Sequence, residues 1–229
     1  MTRFFSAAIS FAICFLAHAA IAEDALRIVC LGDSVTKAVR QGVLPEETFC
    51  AVLERMLRET GQPVSVVNAG IGGNSTADGL ARFDTDVLAH RPNYVVLMFG
   101  LNDSWIDAGK TASRLSVQQY RENLEQMLTR LKAHGAKVVL MTPNPALPPT
   151  FGPERNATLK PYVEAVRSLA AEHDLPLIDV YRHFAELALE TPNLNGLFTD
   201  AMHPNPAGQK VIAELLQQYF ATELPKSTK

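Results

Sequence analysis

Ser34 stands just after the apolar run Leu26–Leu31 and Gly32, where a sharp turn would lift its hydroxyl off the edge of a sheet. A serine hydroxyl is a weak nucleophile until a base takes its proton, so the histidines come next. His90, His134 and His173 each fall at the end of a helical pattern, where the dipole favours a positive charge, and they read as surface residues. His183 lies within a helical pattern and has no polar company. His203 alone lies in a loop-like segment, with Asp200 three residues before it. That spacing lets the carboxylate turn back onto the same imidazole and fix its tautomer. Ser34, His203 and Asp200 are therefore the candidates for nucleophile, base and orienting acid of an acyl transfer. The Asp200 carboxylate is expected to lift the His203 titration above its ordinary value of about 6.5. Such chemistry also needs donors aimed at a developing oxyanion. The turn Gly70–Gly73 offers backbone N–H groups, Asn102 a side-chain amide, and Ser34 its own N–H.

The elements that hold these residues alternate in kind. Leu26–Leu31, Val64–Val67, Tyr94–Phe99, Lys137–Met141 and Leu177–Asp179 read as strands. The third is almost wholly apolar, as in a parallel sheet buried on both faces. Helical periodicity covers Glu46–Glu59, a stretch from a Ser75–Asp78 capping box to just before Pro92, Ser116–Ala133, Leu159–His173, Tyr181–Leu189 and Pro206–Phe220. Thr142–Pro153 carries five prolines and reads as irregular chain beside the site. Alternation of this kind argues for a parallel sheet with helices on both faces. The segments with candidate chemistry each follow a strand or come late in the chain, so they would meet at one rim.

The chain of 229 residues has a formal charge of −3, without the basic excess that a nucleic-acid partner would require. Its only long apolar stretch is N-terminal. Arg3, the apolar run Phe4–Leu16 and Ala20-Ile21-Ala22 form a secretory signal pattern, with cleavage expected after Ala22. Residues 1–22 are thus assigned to a signal peptide and 23–229 to one domain, periplasmic or secreted, without a stable membrane anchor. Cys30 and Cys50 remain after cleavage; they are either two small buried hydrophobes or a disulfide pair. No Cys/His cluster or HExxH pattern exists, so neither metal nor cofactor is expected.

With these residues in place, the chain resembles the SGNH (GDSL) hydrolase family over essentially the whole length beyond the signal. Gly32-Asp33-Ser34-Val35 is similar to its first block, which implies Ser34 as nucleophile. Asn68-Ala69-Gly70-Ile71-Gly72-Gly73-Asn74 looks like its glycine block, which implies Gly73 as an oxyanion donor, with Gly72 adjacent. Gly100-Leu101-Asn102-Asp103 is similar to G-x-N-D and implies Asn102 as the side-chain donor. Asp200-Ala201-Met202-His203 matches D-x-x-H, and Val35 stands where leucine or isoleucine is usual. The resemblance implies a flavodoxin-like three-layer α/β/α sandwich on a five-stranded parallel sheet.

The substrate class divides two ways within that resemblance: short acyl (acetyl) esters of carbohydrates or small alcohols, or longer acyl chains in the manner of a lysophospholipase or thioesterase. Lys37 and Arg40 either meet an anionic group of the substrate or merely solvate a surface. Trp105 either stacks on a sugar ring or packs its loop down. Lys37, Arg40, Asn74 and Asp103 together are expected to make a polar rim that favours the short-chain reading. A dinucleotide-binding reading fails, because Ser75 stands where G-x-G-x-x-G needs its third glycine and no acidic residue follows at the required distance. An inactive binding protein on a hydrolase fold is the remaining alternative.

Overall fold

The computed structural model describes residues 25–40, 42–190 and 194–224, so the signal peptide assigned to residues 1–22 lies outside the described residues. The apolar runs become strands β1 (Leu26–Gly32), β2 (Val64–Gly70), β3 (Tyr94–Met98), β4 (Lys137–Met141) and β5 (Leu177–Ile178). They pair in parallel in the order β2-β1-β3-β4-β5. The helices are α1 (Ser34–Lys37), α2 (Phe49–Glu59), α3 (Thr76–Ala81), α4 (Phe83–Asp86), α5 (Val117–Ala133), α6 (Pro153–Glu172), α7 (Val180–Glu190) and α8 (Pro206–Glu223).

Successive strand residues point to opposite faces, and each face has its own helices. Ile28, Cys30 and Val96 pack with Phe49, Leu53 and Leu57 of α2 and with Ile212, Leu216 and Phe220 of α8. Val29, Leu31, Val95 and Leu97 pack on the other face with Phe83, Tyr120, Leu124, Met127 and Leu131. Helix α6 straddles the two, sending Leu159 and Val163 to the first and Tyr162, Val166 and Leu169 to the second. β2 is an edge strand whose open side is covered by side chains rather than by another strand. The Val66 N–H donates to Glu54 Oε2 at 2.7 Å, and Arg58 Nε donates to the Val64 carbonyl at 2.9 Å.

Several boundaries differ from the periodicity. The capping box at Ser75 and Asp78 forms as expected, but the helix it opens breaks at Arg82 and continues as α4 and a 3₁₀ turn at Leu88–His90. At the break, the Arg82 guanidinium reaches back to the carbonyls of Ala69 (2.7 Å) and Gly32 (3.1 Å), tying the helix to the ends of β2 and β1. Helix α6 begins six residues earlier than its apolar stripe suggests, with Pro153 in its first turn, where the missing N–H removes no helical bond. Glu46–Glu59 divides at Thr48, whose hydroxyl accepts from the Ala51 N–H and caps α2.

In the order β2-β1-β3, the chain moves from β1 to one side and then crosses to the other. The crevice at the carboxyl ends of β1 and β3 is the switch point at which open α/β sheets place ligands. The register sets Gly32 beside both Gly70 and Met98, so the segments after β1, β2 and β3 lie side by side there.

Candidate active site

The serine turn is built on tight backbone approaches. A side chain at Gly32 would meet Thr36 Oγ1 at 2.1 Å and the Met98 carbonyl at 2.5 Å, so only glycine lets β1 turn at this point. Asp33 then caps α1, its Oδ1 accepting from the Val35 N–H at 2.9 Å. Burial pushes the Asp33 carboxyl up to about 7, against the pull of that N–H, and the buried Asp103 carboxyl adds to the rise. Ser34 is the first residue of α1 and remains partly accessible.

The Ser34 hydroxyl lies 2.8 Å from His203 Nε2. On the other side of the ring, Nδ1 lies 2.9 Å from Asp200 Oδ1 and 2.7 Å from Oδ2. Asp200 Oδ1 also accepts the backbone N–H groups of His203 (2.8 Å) and Met202 (3.2 Å), which curl the loop around its own carboxylate. Ala201 adopts a φ of 61° within that curl. These bonds require Nδ1 to carry the proton toward Asp200 and leave Nε2 to accept from Ser34.

Electrostatics here depart from the expectation for His203. Burial lowers its pKa, Asp200 opposes, Arg40 adds to the lowering, and the net direction is downward. The carboxylate does not win, because desolvation of the cation is the larger effect. Burial alone would raise the Asp200 carboxyl, but the bonds from the His203 ring and N–H hold it below the usual range. The relay is therefore poised with a neutral imidazole and an ionised carboxylate at neutral pH.

The oxyanion-donor candidates lie on the adjoining segments. The N–H groups of Ser34 and Gly73 donate to no backbone acceptor among the described residues. Gly73 has a φ of 82°, a conformation that favours glycine, and a side chain at Gly72 would stand 3.9 Å from Ser34 Cβ. Asn102 donates one amide proton to the Asn74 carbonyl at 3.0 Å, while its Oδ1 accepts from Arg114 at 3.3 Å. This fixes the orientation of the amide and leaves its second N–H. Arg114 is itself held by Asp107, at 2.7 Å.

The expected polar rim is only partly present. Asp103 is fully buried; its Oδ1 accepts from the Thr76 N–H (2.8 Å) and hydroxyl (2.6 Å), so it ties the third block to α3 and offers nothing to solvent. Arg40 turns inward, 3.6 Å from Asp200 and 3.1 Å from the Ser34 carbonyl. The Asn74 side chain accepts from Arg82 at 2.8 Å. Lys37 is exposed and faces a groove of about 720 Å³ between α2 and the edge of β2, which neither Ser34 nor His203 lines. Trp105 is half-buried, edge-on to Phe151 at 6.4 Å and covered by the Arg155 guanidinium at 5.1 Å. Cys30 and Cys50 are buried free thiols, and burial with the neighbouring Cys30 pushes the Cys50 thiol up.

Four supporting residues escape the sequence reading. Asn144, from the proline-rich segment, donates to the Met202 carbonyl at 2.8 Å, and the Leu147 N–H donates to the Ala201 carbonyl at 2.7 Å, so that segment braces the His203 loop. Arg155 is buried and donates to Ser104 Oγ (3.1 Å) and the Leu101 carbonyl (2.8 Å), pinning the loop that carries Asn102. Gln209 accepts from the Phe49 N–H at 2.8 Å and donates to the Val35 carbonyl at 3.2 Å, joining α8 to α2 and the serine turn. Arg114 is the fourth. Asn144, Arg155 and Gln209 have no local sequence signature, because the groups they brace are remote in the chain, whereas Arg114 acts within its own loop, on Asp107 and Asn102.

The chain belongs to the GDSL-like lipase/acylhydrolase family, which it matches over residues 30–211, and it is a carboxylic ester hydrolase. It is 27% identical over 215 residues to an acetylxylan esterase of Geobacillus stearothermophilus, covering 88% of this chain and 96% of that one. With the thioesterase 1/protease 1/lysophospholipase L1 of Escherichia coli K12 it shares 30% identity over 87% of this chain and 84% of that one. The crystal structure of a lipase/acylhydrolase from Enterococcus faecalis superposes with a TM-score of 0.74 at 30% identity, covering 89% of this chain and all of the other.

Proposed function

We propose that the protein is an exported serine esterase in which Ser34 attacks the ester carbonyl while His203, oriented by Asp200, accepts its proton. The observation that carries this reading is the continuous relay from Ser34 Oγ through His203 to Asp200, with bonds of 2.8 Å and 2.7 Å, at the β1/β3 switch point. The N–H groups of Ser34 and Gly73 and the Asn102 amide receive the tetrahedral oxyanion. His203 then protonates the leaving alcohol, and water repeats the sequence on the acyl-enzyme to release the acid. Every step uses groups of this chain; no cofactor or metal enters.

For the substrate we infer a short acyl group, acetyl to about butyryl, on a carbohydrate or other small alcohol. Similarity to an acetylxylan esterase along nearly its whole length supports this. The second reading, a thioesterase or lysophospholipase for longer chains, is favoured by the similarity to the Escherichia coli enzyme. A homologous ester series separates them, because each methylene that finds an apolar pocket adds up to about 0.8 kcal/mol, close to a fourfold gain in kcat/KM. The short-chain reading expects kcat/KM to fall beyond about four carbons; a steady climb past about eight replaces it with the second.

A further inference from the structure

We propose that Arg40 is a positioning residue that ties the Asp200 carboxylate to the backbone of the Ser34 turn, so that one guanidinium holds both ends of the relay in register. The inference rests on the roles given above to Ser34, His203 and Asp200.

The serine turn and the histidine loop come from opposite ends of the chain, and Arg40 bridges them with three nitrogens. Nη1 lies 3.6 Å from Asp200 Oδ2, the oxygen nearest His203 Nδ1. Nη2 donates to the Ser34 carbonyl at 3.1 Å, and Nε donates to the Ala38 carbonyl at 3.2 Å. Its own backbone is pinned by reciprocal bonds with Val43, at 3.2 Å and 3.0 Å. The side chain is only 22% exposed, so the fork is committed to these partners and is not free to receive an incoming anion. A planar fork suits this task, since it fixes two acceptors at set angles where an ammonium would serve as a point charge.

The charge has a second effect. Asp200 and Arg40 are the charged groups that act on His203, the first raising its pKa and the second lowering it. Arg40 in turn faces Asp200 and the buried Asp33, and Asp33 faces Asp103. By sharing the Asp200 carboxylate with the imidazole, the guanidinium keeps the resting ring neutral to lower pH.

The test compares the wild-type chain with Arg40→Gln and Arg40→Lys on a neutral and an anionic ester of the same acyl group. Arg40→Gln is expected to lower the plateau kcat about 10- to 100-fold through misplacement of the relay, with little change in KM for the neutral ester. Its acid limb is expected to move to higher pH, because Asp200 then acts on His203 unopposed. Arg40→Lys keeps the charge and hence the position of the limb, but loses the fork and still lowers the plateau. Titration of the His203 ring by NMR uses no ester, so its upward movement in Arg40→Gln tests Arg40 even if the ester-cleaving reading fails; that failure would show instead as a Ser34→Ala variant that retains activity. An unchanged plateau together with an unmoved limb and ring titration overturns the proposal. So does a KM increase confined to the anionic ester at unchanged kcat, which makes Arg40 a substrate-binding residue. If Arg40→Gln does not fold, an unchanged plateau in Arg40→Lys suffices to overturn it.

Discussion

Gln209→Leu isolates the joint between the serine turn and the helices behind it. Gln209 is fully buried in α8, and its amide is the partner of two remote backbone groups, the Phe49 N–H and the Val35 carbonyl. Phe49 opens α2, where an N–H has no acceptor within its own helix. Leucine preserves most of the volume, so cavity formation adds little and the change reads the two lost bonds. Each orphaned buried group costs about 1–3 kcal/mol, which puts the pair at roughly 3 kcal/mol or somewhat more. For a chain of this size that corresponds to a Tm about 6–12 °C lower. Urea unfolding followed by circular dichroism gives the energy directly, with the midpoint reduced and the slope m unchanged. A loss within about 0.5 kcal/mol, the range of an ordinary surface change, would refute the claim that this amide joins the three elements.

Asn102→Ala should lower kcat about 10²–10³-fold with little effect on KM, because its bond strengthens only as charge develops; a KM effect alone would make it a ground-state contact. The acid limb of kcat/KM should have its midpoint below the ordinary histidine value of 6.5, since burial lowers the His203 pKa; a midpoint above it would show that Asp200 outweighs burial. Asp33 is protonated in the folded protein over a window in which the unfolded chain is ionised, from 3.8 to about 7. Its folded pKa is raised, so stability falls as pH climbs through that window and levels off above it. Asp33→Asn removes this dependence and should gain on the wild type between the acid and alkaline ends of the window; parallel stability curves would contradict the buried-acid assignment.

Much of the fold is legible because the strands are short apolar runs whose only stable home is a sheet covered on both faces. Lys137–Met141 is read to the residue, the capping box at Ser75 announces its helix, and the apolar stripes starting near Ser116 and Pro206 place two more. The breaks are less legible. The stretch after Ser75 keeps helical spacing, but Arg82 has four remote or local acceptors and turns the chain to reach them. In the site, Ser34, Asp200 and His203 are legible through spacing and context, since a histidine three residues after an aspartate can close on it locally. Arg40 and Asp103 are not. Each is a charged side chain in a loop, which reads as rim, and only the tertiary fold shows that Asp200 waits for one and Thr76 for the other. Asn144, Arg155 and Gln209 are illegible for the same reason: the Met202 carbonyl, the Leu101 carbonyl and Ser104 hydroxyl, and the Phe49 N–H and Val35 carbonyl that they meet are all remote from them in the chain.

Ser34 is proposed as the nucleophile and His203 as its base. A serine-directed fluorophosphonate probe followed by peptide mass spectrometry reports on this pairing directly. An adduct is expected on the peptide containing Ser34 in the wild type, with none in Ser34→Ala and labelling slowed by orders of magnitude in His203→Ala, all three proteins being folded. An adduct on another residue, or undiminished labelling of Ser34→Ala, would contradict the proposed pairing.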